Sequence, residues 1–102
     1  MSGLKNKLIS DGTVQLLGTV SDSVLFSLTT IRAVNPTATV KEITIWVSTS
    51  PTPSDVDLVE APTSLTPKGR YEQNNLQLSP GEKVFVFAPA GVVFRMETVD
   101  EA

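Results

Sequence analysis

The side chains that could do chemistry here are few, and what is missing narrows the choice first. The 102 residues include no histidine and no cysteine, which removes the commonest general base, the thiol nucleophile, disulfides and the two main ligands of zinc. Carboxylates remain. Asp55, Asp57 and Glu60 lie close enough in sequence to gather around calcium, but no glycine-bearing ligand loop of the EF-hand kind frames them. The plainer reading of 54–60 is one or two helical turns that dock on the body of the protein, capped by Ser54 after Pro53, with Asp55 and Asp57 near the positive end of the dipole. A carboxylate pair could also hydrolyse a glycoside, yet a domain this small leaves little room for the cleft that chemistry uses. Trp46, Tyr71, Gln73 and Asn75 form a thin version of a sugar-binding set, in a chain with only 6% aromatic residues. The reading is non-enzymatic, with no catalytic residue, metal ligand or cofactor assigned.

Charge and hydropathy narrow the partners. The formal charge is −3, and the Lys and Arg residues are spread singly along the chain, which argues against a groove that tracks phosphates and hence against direct nucleic-acid binding. No apolar run approaches the roughly 20 residues that span a bilayer, so no membrane partner is expected. The stretch behind Lys5 and Lys7 is too interrupted for a signal peptide, and no export is inferred. Absence of cysteine fits synthesis in a reducing cytosol. A chain of this length forms one domain and can bury roughly 65% of the surface its unfolded form exposes.

The elements that must position these residues are strands. Residues 38–50 alternate most clearly, with Ile43, Ile45 and Val47 on one face and Glu42, Thr44, Trp46 and Ser48 on the other. Trp46 is then either an interface anchor or part of a second apolar layer inside the fold. Residues 24–34 form a second long strand, with Val24, Phe26, Leu28 and Thr30 on one face, and Asn35-Pro36 turns it into 39–49 as a hairpin. Thr13 to Gly18 is a short strand that Asp11-Gly12 joins to residues 4–10 as an opening hairpin, residues 4–10 being a helical turn, an arm or a first strand. From 50 to 70 the prolines rule out central strands, making this the long connection. Arg70 to Leu78 reads as a polar edge strand. Ser79-Pro80-Gly81-Glu82 suits a type II turn, Lys83 to Ala88 an apolar central strand, and Val92 to Val99 a last strand.

These elements predict an all-β protein: an antiparallel Greek-key β-sandwich of about six to seven strands with one short helical turn in the Pro-rich connection. Its inner faces are expected to hold Ile43, Ile45, Val47, Phe26, Leu28, Val84, Val86, Phe94 and Met96. The expected organisation is an N-terminal arm or first strand over 1–12, a single sandwich domain over 13–99, and a solvated acidic tail over 100–102.

Four stretches carry a resemblance. Asn-Pro-Thr-Ala at 35–38, Ile-Trp-Val-Ser-Thr-Ser-Pro-Thr-Pro-Ser-Asp at 45–55, Leu-Ser-Pro-Gly-Glu-Lys-Val-Phe-Val at 78–86 and Ala-Gly-Val-Val-Phe-Arg-Met-Glu at 90–97 together resemble small virion structural proteins of tailed bacteriophages. That resemblance implies a β-sandwich module made in the host bacterial cytoplasm and located in the virion. It implies a capsid decoration (cement) protein bound to the major capsid protein lattice or, alternatively, a tail, neck or baseplate component bound to tail proteins. It also implies self-association as a symmetric oligomer, with a trimer favoured by local capsid symmetry. The edge strand 70–78, the Pro-rich segment 50–70, residues 1–10 and Trp46 are the candidate contacts. A carbohydrate-binding adhesion module built on Trp46, Tyr71, Gln73 and Asn75 is the more distant alternative.

Overall fold

The computed structural model describes residues 3–101; residues 1, 2 and 102, at the ends of the expected arm and tail, lie outside it. The described chain is all-β, with strands β1 (Lys5–Ile9), β2 (Gln15–Thr19), β3 (Phe26–Val34), β4 (Lys41–Ser48), β5 (Leu58–Leu65), β6 (Arg70–Leu78), β7 (Lys83–Phe87) and β8 (Val93–Glu101), and a 3-10 turn at Asp55–Asp57. The first sheet has the order β1-β8-β3-β6 and the second β2-β7-β4-β5, and every pairing is antiparallel.

The pairing has a simple logic. β1 pairs with β8, β2 with β7, β3 with β6 and β4 with β5, so the chain is one long hairpin whose tip is the β4–β5 connection. This double ribbon crosses three times between the sheets, and the β3–β8 and β4–β7 ladders close each sheet. Polar residues pin two of the crossings. At the first, the buried Ser10 donates its hydroxyl to the Pro89 carbonyl at 2.6 Å and accepts from Val92 N–H at 2.9 Å. At the third, Asn35 is fully buried; its amide donates to the carbonyls of Thr39, Leu65 and Thr66, and its side-chain oxygen accepts from Thr37 N–H and Oγ1. Buried polar groups are tolerated when satisfied, and Asn35 uses both ends of its amide.

One core lies between the sheets. Ile31, Ala33, Leu78, Phe94 and Met96 of the first sheet meet Leu17, Ile43, Ile45, Leu65, Val84 and Val86 of the second. Ile43, Ile45, Val84, Val86, Phe94 and Met96 are thus inside, as the alternation required. Phe26 and Leu28 are not: in β3 the buried set is Ser27, Thr29, Ile31 and Ala33. The sequence offered two apolar faces, and the more polar of the two in its first half is the one that turns inward.

Several sequence expectations are corrected. The strands number eight, not six to seven, because Leu58–Leu65 forms β5 where a helix and connection were read. Pro62 is accommodated because β5 is an edge strand and Ala61-Pro62 bulge opposite Thr44, where a ladder donor is not needed. The helical reading of 54–60 contracts to the single 3-10 turn, with Ser54 N–H donating to Asp57 at 2.9 Å. Neither expected hairpin forms: β1 and β2 lie in opposite sheets, as do β3 and β4. Turn residues mark a reversal but do not distinguish a return in the same sheet from a crossing to the other. Asp100 and Glu101 belong to β8 instead of a solvated tail, and Asp100 accepts a hydrogen bond from the buried Ser27 hydroxyl. Residues 5–9 form a paired strand, not a helical turn or free arm.

Candidate functional site

The outer face of the second sheet is built by alternation. In β7, Val84 and Val86 enter the core, so Phe85 and Phe87 point away from it; Phe85 is only 6% exposed yet takes no part in the shared core. The ladders carry this face across all four strands: Phe85 lies opposite Leu16 in β2 and Trp46 in β4, and Trp46 lies opposite Leu58 in β5. The result is one row, Leu16–Phe85–Trp46–Leu58, with Leu16 49% and Leu58 37% exposed at its ends. Val14, beside β2, and Val56, 92% exposed in the turn before β5, extend the apolar character. Thr44 opposite Phe87 forms the next row. Trp46 therefore lies on the side of the sheet away from the shared core, half-buried against Phe85. Among the described residues, the charges that the strands place on this face stand at its ends: Glu42 beside Ser64, and Lys83 opposite Ser48 and Thr19.

The outer face of the first sheet is different. Lys5, Lys7, Arg32, Arg70 and Arg95 share it with Glu72, Glu97 and Glu101. Five cations that are scattered in sequence are thus gathered on one surface, interleaved with three carboxylates. Arg32 bridges Glu72, at 2.9 Å, and Glu97, and these two carboxylates raise its pKa further. A concavity of about 370 Å³ lies here, lined by Lys5, Leu28, Thr30, Arg32, Asn75 and Glu97 among others. Asn75 reaches it because β6 bulges: Asn74 and Asn75 face Thr30 alone, and Asn75 takes φ +55°. The Arg32 guanidinium in its wall is held by two carboxylates, Glu72 and Glu97.

The other sequence candidates separate. Tyr71 and Gln73 lie between the edges of the two sheets, where the Tyr71 hydroxyl is within hydrogen-bond distance of Glu60 Oε1 (3.1 Å), and Thr63 Oγ1 donates to Glu60 Oε2 at 2.7 Å. Burial, helped by Glu60, pushes the Tyr71 phenol up to about 12. Trp46 and Asn75 are on opposite outer faces, so the four residues of the sugar-binding set form no common surface. Asp55, Asp57 and Glu60 do not converge either: Asp57 caps Ser54, Glu60 is engaged with Tyr71 and Thr63, and among the described residues no group of three acidic side chains is placed to hold a metal. No described helix is long and apolar enough to cross a membrane. The apolar row was missed in sequence, although a signal existed: Lys83 to Ala88 is apolar on both faces, and only one face can meet the core. The chain matches no family model, no curated protein and no solved structure.

Proposed function

We propose that the chain is a non-enzymatic structural module that works by protein–protein contact, as a decoration protein on a virion capsid lattice. The observation that carries the contact role is the apolar row Leu16–Phe85–Trp46–Leu58, which crosses a whole sheet on the side away from the core. Large aromatic and aliphatic side chains at the centre of a rigid surface, ringed by polar ones, are the usual anchors of protein interfaces. The virion setting comes from the resemblance carried by 35–38, 45–55, 78–86 and 90–97. The strand order supports that setting: a long hairpin wound into two four-stranded antiparallel sheets resembles a jelly roll, an architecture found in viral capsid and lectin domains. Shared architecture supports a class of function and no more than that.

Such a module gains avidity by repetition, so modest contacts suffice when many copies bind one lattice. Quantitative mass spectrometry of purified particles that carry the chain tests this. Decoration predicts a copy number in simple proportion to the major capsid protein. A few copies per particle assign the chain to the tail, neck or baseplate, and none removes it from the virion.

A further inference from the structure

The apolar row leaves open which protein covers it, and the charges at its ends point to one answer. Glu42 stands near the start of β4, while Lys83 stands opposite Ser48 at the end of β4. The two mark opposite ends of the same outer face, about 20 Å apart along the strands at about 3.4 Å per residue. Between them lie Thr44, Phe87 and the Leu16–Phe85–Trp46–Leu58 row, all uncharged. A half-turn about an axis that lies in the interface and runs across the strands reverses strand direction. It brings the Lys83 end of one copy over the Glu42 end of another, and does so twice, while the uncharged centres face each other. The surface is complementary to itself.

We infer that the outer face of the second sheet pairs with the same face of a second copy of this chain, as a twofold dimer. The inference rests on reading that face as a protein contact and names its partner. Isologous pairing requires a patch that is complementary to itself under a half-turn, and an acid and a base at opposite ends of an apolar centre meet that requirement. The size of the face sets the strength. The face spans about 20 Å by 20 Å, and because Thr44, Ser48 and Phe85 within it are each only 6% exposed, it offers less than half of a standard interface, so the pair is weak and concentration-dependent. The ionic face of the first sheet, on the far side of each protomer, stays free in the dimer. The twofold pair replaces the trimer that capsid symmetry suggested.

Sedimentation equilibrium of the full chain between about 10 µM and about 1 mM tests the pairing over the affinities such an area allows. A reversible monomer–dimer equilibrium is expected. Leu16→Asp places a charge on the exposed end of the row and should leave only monomer, with unchanged circular dichroism and melting. Glu42→Lys and Lys83→Glu should each weaken the dimer about three- to tenfold, since each sets like charges together at two symmetric places, and the double variant should recover most of the loss. A strict monomer, a trimer, or a dimer indifferent to these changes overturns the inference. If the chain is monomeric but Leu16→Asp lowers its copy number on particles, the twofold pairing is wrong and the face is a contact to another protein. If the chain is monomeric and particle binding is also unmoved, the contact reading of the face is wrong as well.

Discussion

Tyr71 closes the gap between the edges of the two sheets, and its phenol is held neutral well past its ordinary range, to about 12, chiefly by burial and then by Glu60. An acid whose folded pKa is raised favours folding below its unfolded value and loses that contribution above it. Stability should therefore hold up to about pH 10 and fall between pH 10 and 12. The chain has one tyrosine, so its ultraviolet absorbance reports this titration directly. Glu60→Gln should lower the midpoint only part of the way to 10, because burial is the larger cause. Asn35 carries a bigger load. Of its five side-chain hydrogen bonds, two reach Leu65 and Thr66 in the facing segment and three tie down Thr37 and Thr39 in its own, and Asn35→Ala leaves the buried Leu65 carbonyl, with those of Thr39 and Thr66, without this donor. A loss of about 2–4 kcal/mol in urea unfolding is expected, with little change in slope. At this scale the sequence was a partial guide. It marked Asn35 as a turn and Trp46 as exposed to partners or buried, but the two bonds of Asn35 that hold the crossing together go to Leu65 and Thr66, 30 and 31 positions away, which no local pattern reveals.

Among the elements, those with strong alternation or a full turn signature were legible. Ile43 and Ile45 in β4, Val84 and Val86 in β7, and Phe94 and Met96 in β8 are all buried as period two required. The β6–β7 turn was readable residue by residue: Gly81 has φ +81°, and Glu82 N–H donates to the Ser79 carbonyl at 3.2 Å. Gly81→Ala should cost about 1 kcal/mol, from the left-handed backbone and a Cβ placed 3.2 Å from Asp22; thermal melting checks it. β5 was not legible, because Pro62 and weak alternation are tolerated only at an edge, and edge position is a property of the assembled sheet. β3 failed differently. With apolar residues on both faces, its orientation is fixed by β6 and β8, not by its own sequence, and Phe26 and Leu28 were placed inside when Ser27 and Thr29 are.

For the whole molecule, the all-β class was visible in composition and turn spacing, whereas the winding was not. Pairings such as Lys5 with Glu97 join the two ends of the chain, and local signals cannot encode them. This connectivity makes contact formation non-local, so refolding after dilution from denaturant should take milliseconds to seconds and be slow for a chain of this size. It also makes β1 a structural strand. Deleting residues 1–9 would expose the edge of β8 along the first sheet, and loss of cooperative unfolding is expected by calorimetry, where removal of a free arm would change little. Electron cryomicroscopy of particles carrying the chain tests the decoration role most directly: the account predicts density for the two-sheet module repeated over the capsid lattice with the Trp46 face covered by protein. Density confined to the tail, or a lattice-bound module with that face open to solvent, would contradict it.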